Sequence, residues 1–259
     1  MTQRAPAVRI EHADKVYPNG VRALAPISVD VRERELVTLL GPSGCGKSTL
    51  LRMVAGLSEP SAGRVALWPG DELRGERGLA FVFQQPTLMP WASVLRNVRL
   101  PLDLAGAARE AADARVRKAL ELVGLAEFEH VFPRELSGGM QMRASIARAL
   151  VTDPHLLLMD EPFGALDEIT RNRLDRELRD LWHRQHLTVL FVTHSLYEAV
   201  FLSTRVLVMS ARPGTIVGEV VIDEPHPRDD AFRTSQRFAQ WCSRLQGLLS
   251  AEEPAQEPR

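Results

Sequence analysis

The chain predicts an α/β fold: a parallel sheet wrapped by helices, a small antiparallel sheet at the start, and a helical lobe inserted in the middle. Three observations carry this. The runs Leu36–Leu40, Leu79–Phe83, Leu156–Met159, Val189–Thr193 and Val206–Met209 are almost continuously apolar, as strands covered on both faces are. Two earlier segments, Val8–Glu11 and Ile27–Val31, alternate apolar and polar residues on either side of Pro18-Asn19-Gly20, which reads as a half-buried antiparallel pair. Between Gln84 and Ala149 the apolar spacing becomes helical. Ala112, Val116, Ala119, Leu120 and Val123 share one face, and a second helix is expected from Gly139 to Leu150.

At 259 residues, 45% of them apolar, the chain can bury a large core as one composite unit of two lobes. Its apolar runs are far shorter than a membrane span. Met1–Pro6 lacks the apolar stretch of a secretory signal, so a cytoplasmic location is expected. Cys45 and Cys242, the only cysteines, are expected to stay thiols there. A net charge of −1 and a pI near 6.7 give no basic footprint for nucleic acid. Past Val220 the chain runs through Asp223-Glu224-Pro225-His226-Pro227 into an amphipathic stretch, Phe232–Leu249. It ends in a polar tail, Glu252–Arg259, expected to be disordered.

Gly41-Pro42-Ser43-Gly44-Cys45-Gly46-Lys47-Ser48-Thr49 follows the first apolar strand and precedes a helix-like run, the setting of a phosphate-binding P-loop. Glycines let several backbone N–H groups turn inward around an anion, and the helix N-terminus adds partial positive charge. Lys47 then reaches the outer phosphates of a nucleoside triphosphate, and the Ser48 hydroxyl stands at the offset that ligates Mg²⁺. Cys45, at a helix N-terminus, is expected either to have a lowered pKa and react with alkylating reagents or to be a buried, inert thiol. His183 and His186 lie three apart on an expected helix, a spacing that suits an ordinary solvated face better than a metal site.

The strand Leu156–Met159 ends in Asp160 and Glu161, whose side chains should point different ways and do different work. Asp160 suits Mg²⁺, and Glu161 suits polarising the water that attacks the γ-phosphate. Leu136-Ser137-Gly138-Gly139-Met140-Gln141 sets a hydroxyl and two glycines before a helix, a second anion-receptive element. Two such elements make sense if they serve one phosphate from opposite chains of a symmetric dimer. With these motifs in this order, from about Val8 to Val220, the chain resembles the ATPase subunit of an ABC transporter.

The resemblance implies a P-loop NTPase with a RecA-like core, an ATP-binding domain over 1–223 with a helical subdomain at about 86–150, and a C-terminal helix and tail over 224–259. It implies the Q-loop glutamine at Gln84, the D-loop aspartate at Asp167, the switch histidine at His194 and an adenine-stacking aromatic at Tyr17. Gln84 would join Ser48 and Asp160 on Mg²⁺, its amide able to swing away; His194 would orient water and γ-phosphate. Ser137, Gly138, Gly139 and Asp167 would come from the opposite chain. Many family members have Gln where Met140 stands, so Gln141 carries no secure nucleotide role, and Ser195 stands where aspartate is frequent.

The chain has neither heptads for a long coiled coil nor a duplicated unit, which fits a transporter subunit. Gln85–Val94, rich in large apolar residues, reads as a groove for a helix of a membrane partner, or else Leu88 and Trp91 pack under the helical lobe. Gln84–Val98, with Met209–Ile216, is similar to the nitrate, sulfonate and taurine branch of bacterial importers. That implies a homodimer of ATPase subunits, integral-membrane permease subunits, a periplasmic solute-binding protein and a peripheral place on the cytoplasmic face of the inner membrane. The competing readings are a soluble ABC ATPase clamping a protein or nucleic-acid complex, and a small-molecule kinase, which leaves the Leu-Ser-Gly-Gly element unexplained.

Overall fold

Two kinds of strand organise the molecule, and the residues place each. The computed structural model describes residues 5–70, 78–225 and 227–251. β1 (Pro6–Val16) and β2 (Arg22–Arg32) pair antiparallel with Ile10 opposite Val29, each burying one face. Their connection turns where Gly20, at φ 80°, donates its N–H to Tyr17 O at 2.9 Å. β4 (Ala62–Leu67) adds to the free edge of β1, Val65 opposite Ile10. This third strand is absent from the sequence reading.

The core strands are β3 (Leu36–Leu40), β5 (Leu79–Val82), β6 (Leu156–Asp160), β7 (Thr188–Thr193) and β8 (Arg205–Met209). They run parallel in the order β5-β6-β7-β3-β8, as their apolar runs predict. β9 (Ile216–Val221), another element not anticipated, closes the edge antiparallel to β8. The C-terminal ends of β3, β6 and β7 lie side by side, with Leu40 paired to Thr193 and Asp160 to Val192. The residues that follow these strands therefore gather at one edge.

α1 (Lys47–Val54) leaves β3 and buries Leu50, Leu51, Met53 and Val54 in the apolar layer between the two sheets. The helical lobe comprises α2 (Val94–Leu104), α3 (Arg109–Leu122) and α4 (Gly138–Leu150). Ala112, Val116, Ala119 and Leu120 form the buried stripe of α3, as their spacing predicts. α4 starts at Gly138, one residue before the expected Gly139, because the Ser137 side chain caps it by accepting the Met140 N–H at 3.3 Å.

α5 (Glu168–Gln185) is capped by Asp167 and α6 (Leu196–Leu202) by Ser195. His186 ends α5 in the left-handed conformation at φ 53°, so it shares no helix face with His183, contrary to the sequence expectation. The amphipathic C-terminal stretch forms α7 (Asp230–Arg233) and α8 (Gln236–Ser250), whose Phe238 and Leu245 are buried in the main core. The tail predicted to be disordered, 252–259, lies outside the described residues, as does residue 226 of the linker. Among the described residues, no helix is long and apolar enough to cross a membrane.

Candidate functional site

The turn from β3 into α1 demands its glycines. Gly44 and Gly46 have φ of 76° and 105°, and a Cβ on Gly46 would stand 2.5 Å from Leu24 Cδ2 and 2.9 Å from Ala23 O. From the far side Gly214 comes so close that a Cβ there would stand 1.9 Å from Cys45 O. Arg212 donates two hydrogen bonds to Gly44 O, at 3.0 and 3.2 Å. The loop is thus clamped between the antiparallel sheet and the segment after β8.

Lys47 is only 3% exposed; its ammonium donates to Gly41 O at 2.8 Å and Pro42 O at 2.9 Å and lies 3.6 Å from Glu161 Oε1. Ser48 Oγ donates to Asp160 Oδ1 at 2.7 Å. Burial pushes the Asp160 carboxyl above the usual carboxylate range, and the Ser48 bond opposes this. Tyr17, just past β1, places its hydroxyl 3.2 Å from Thr49 Oγ1. Tyr17, Gly44, Gly46, Lys47, Ser48, Thr49, Glu161 and Arg212 share one cavity of about 360 Å³.

Asp160 and Glu161 diverge as expected. Asp160 is the last residue of β6, whereas Glu161 turns into the left-handed region at φ 44°, its N–H donating to Val192 O at 3.0 Å. The turn brings Glu161 Oε2 to 3.0 Å from Nδ1 of His194, the residue after β7. The imidazole is about half exposed, with a side-chain accessibility of 54%.

The other predicted residues stand apart from this cavity. Gln84 is exposed beyond the end of β5 and is not among the residues lining it. Ser137 and Gly138 are exposed at the N-terminus of α4 and Gly139 is buried, where a Cβ would meet Thr170 Cγ2 at 2.7 Å. The Gln141 amide is turned inward instead, donating to Pro133 O at 3.0 Å and Leu136 O at 3.2 Å, so it braces the turn before α4. The Asp167 carboxylate accepts the Thr170 N–H at 3.0 Å, and such backbone bonds hold it below its ordinary pKa. Leu88 packs against the main core while Trp91 is 75% exposed, so the two residues offered together by the sequence part company.

The reactive reading of Cys45 does not hold. The thiol is buried, 1% exposed, and burial pushes its pKa up more strongly than nearby Lys47 lowers it. Sequence reasoning also missed the anchoring role of Arg212, which meets the P-loop 168 residues away in sequence. The Arg-Pro-Gly wording of Arg212–Gly214 was its only signal.

The family model described as ABC transporter matches residues 24–164. The taurine import ATP-binding protein TauB of Rhizobium johnstonii is 44% identical, over 95% of this chain and 97% of its own. The nitrate import ATP-binding protein NrtD of a Synechocystis species is 41% identical over 90% of each chain. A bacterial ABC transporter cassette solved as a dimer superposes with a TM-score of 0.72 at 31% identity, covering 84% of this chain and 100% of that one. The same cassette has been solved in a post-hydrolysis state with ADP and Pi. The chain belongs to the ABC transporter family, as an ATP-binding, ATP-hydrolysing subunit similar to those of the nitrate and taurine branch.

Proposed function

We propose that this subunit energises import of a small solute of the nitrate, sulfonate or taurine type by ATP-driven closing and reopening of a homodimer. It works on the cytoplasmic face of the inner membrane against integral permease subunits, which receive solute from a periplasmic binding protein. The names of the related proteins support the importer reading. One observation carries the dimer: Ser137 and Gly138 are exposed at a helix N-terminus outside the cavity that holds Lys47 and Ser48. A facing second chain can supply that N-terminus, with Asp167, to the phosphate held by the first.

In this reading residues 1–223 are the ATP-binding domain, with the helical subdomain at about 86–150, and 224–259 are an appended C-terminal segment. Tyr17 stacks on adenine, and the backbone of Gly41–Thr49 with Lys47 holds the phosphates. The Ser48 hydroxyl and Asp160 carboxylate, 2.7 Å apart, are hard oxygen donors that suit Mg²⁺, with the Gln84 amide oxygen as a further ligand. When bound, the ion neutralises charge on the phosphate oxygens. Glu161 orients the attacking water and takes its proton; His194, hydrogen-bonded to Glu161, fixes that carboxylate and donates to the γ-phosphate.

The test is purification of the tagged chain from gently solubilised cells of its own source. A multi-span membrane protein should accompany it, and the binding protein paired with that permease would then define the solute. Recovery of soluble partners alone, with membranes sampled, would overturn the importer reading in favour of a soluble clamp.

A further inference from the structure

His194 occupies a junction between β7, which ends at Thr193, and α6, which begins at Leu196 after its cap Ser195. A partly buried ring of hydrogen bonds ties the residues on either side of it. Thr193 Oγ1 accepts the Ser195 N–H at 3.0 Å and donates its own proton to Glu198 Oε2. The Glu198 N–H in turn donates to Ser195 Oγ at 3.3 Å. Glu198 is the third residue of α6, the position from which a glutamate ordinarily reaches back to the N–H of the cap residue. Here the Thr193 hydroxyl takes that N–H and relays the link to the carboxylate, so the residues on both sides of His194 are tied to one side chain.

The helix carrying Glu198 is itself fixed. Arg228 donates to Val200 O at 2.7 Å and to Phe201 O and Ser203 O at 3.0 Å, and Arg179 donates to Leu202 O at 2.6 Å. Glu198 Oε1 faces Arg171 Nε at 3.8 Å. An apolar side chain could fill this buried space with less desolvation cost. What the carboxylate adds is an acceptor aimed at Thr193.

We propose that Glu198 is a positioning residue for ATP hydrolysis: through the Thr193 hydroxyl it fixes the backbone on either side of His194, and so holds the imidazole beside Glu161. The inference rests on the reading of His194 given above. It requires Glu198 and Thr193 to act on turnover and not on nucleotide binding.

The experiment measures kcat and KM for ATP, and affinity for a fluorescent ATP analogue, in the full-length chain. The variants are His194→Ala, Glu198→Ala, Glu198→Gln, Thr193→Val and Thr193→Ser, each checked for a native melting transition. Glu198→Ala and Thr193→Val should lower kcat about 10- to 100-fold while KM and affinity stay within about twofold. Thr193→Ser, which keeps the hydroxyl, and Glu198→Gln, which keeps an acceptor, should both stay within about threefold of the parent kcat. Equal losses in Thr193→Ser and Thr193→Val, a KM that rises in step, or unchanged turnover in folded Glu198→Ala would overturn the inference. Should the two drastic variants fail to fold, a folded Glu198→Gln that has lost about tenfold or more would overturn it as well. Full turnover in His194→Ala would remove the histidine reading and this inference together, whereas loss in His194→Ala with no effect at Glu198 or Thr193 would remove the inference alone.

Discussion

Glu161 is held at φ 44°, a conformation that non-glycine residues seldom adopt, and the strain turns its carboxylate from the direction of Asp160 toward His194. Glu161→Gln keeps that shape and removes the base. It should lower phosphate release by about 100-fold or more while ATP binding stays near the parent value; full-rate hydrolysis would refute the role. Burial, helped by nearby Asp175, pushes the Glu198 carboxyl from 4.5 up to about 7, against the Thr193 bond and Arg171. Asp175 and Arg171 face it from α5 and Glu161 from the end of β6, and Arg233 of α7 is paired with Asp175 at 2.8 Å. The folded state holds this proton more tightly than the unfolded chain. The group's contribution to stability is therefore full below about pH 4.5 and fades as pH rises toward about 7. Urea midpoints should show the parent gaining on Glu198→Gln when pH falls from about 7.5 to about 5; parallel profiles would exclude Glu198 as the titrating group. Cys45 should resist thiol reagents in the native state and react on unfolding, as mass mapping of labelled peptides can check. The P-loop and the Asp160-Glu161 pair could be read in advance because their chemistry depends on local spacing. Arg212 could not, since only the fold brings it to Gly44, and Glu198, though five residues from Thr193, stands where a glutamate reads as an ordinary helix-capping residue.

Each element was legible in proportion to how far its own residues decide it. The core strands are buried on both faces and announce themselves by apolar runs. β4 and β9 did not: each is an edge strand carrying a glycine, Gly63 and Gly218, and each is defined by its pairing with β1 or β8. α2 was obscured by Pro101 within it, although Ser93 stands at its start as a cap. The loop ahead of α2 is shaped by one buried side chain. Asn97 donates to Met89 O at 3.1 Å, Ala92 O at 3.0 Å and Ser93 O at 3.1 Å, and accepts the Met89 N–H at 2.7 Å. Asn97→Ala would strand these groups and should cost about 2–3 kcal/mol in urea unfolding. A cost under about 1 kcal/mol would mean that water takes over the bonds.

For the whole molecule, the surfaces that decide the proposed function are those a second chain or a membrane partner would complete, which is why their residues could be read by type but not by partner. Trp91, 75% exposed on a loop that Asn97 holds in shape, is the outward feature the importer reading needs. Trp91→Glu should abolish retention on membranes while leaving the ATPase rate of the isolated chain within about twofold. A membrane pelleting assay on parent and variant decides it, and undiminished retention would place the docking surface elsewhere. The same loop is gripped from below by Arg148 of α4, which donates to Pro86 O at 2.8 Å and to Thr87 O and Thr87 Oγ1 at 2.9 Å. Gly138 lies at the other end of this helix, about 15 Å back along its axis. Arg148 holds one side of the loop and Asn97 the other. On the proposed reading α4 would serve as a connecting rod: one helix runs from Ser137 and Gly138, where a second chain would bear, to Arg148, which holds the loop presenting Trp91.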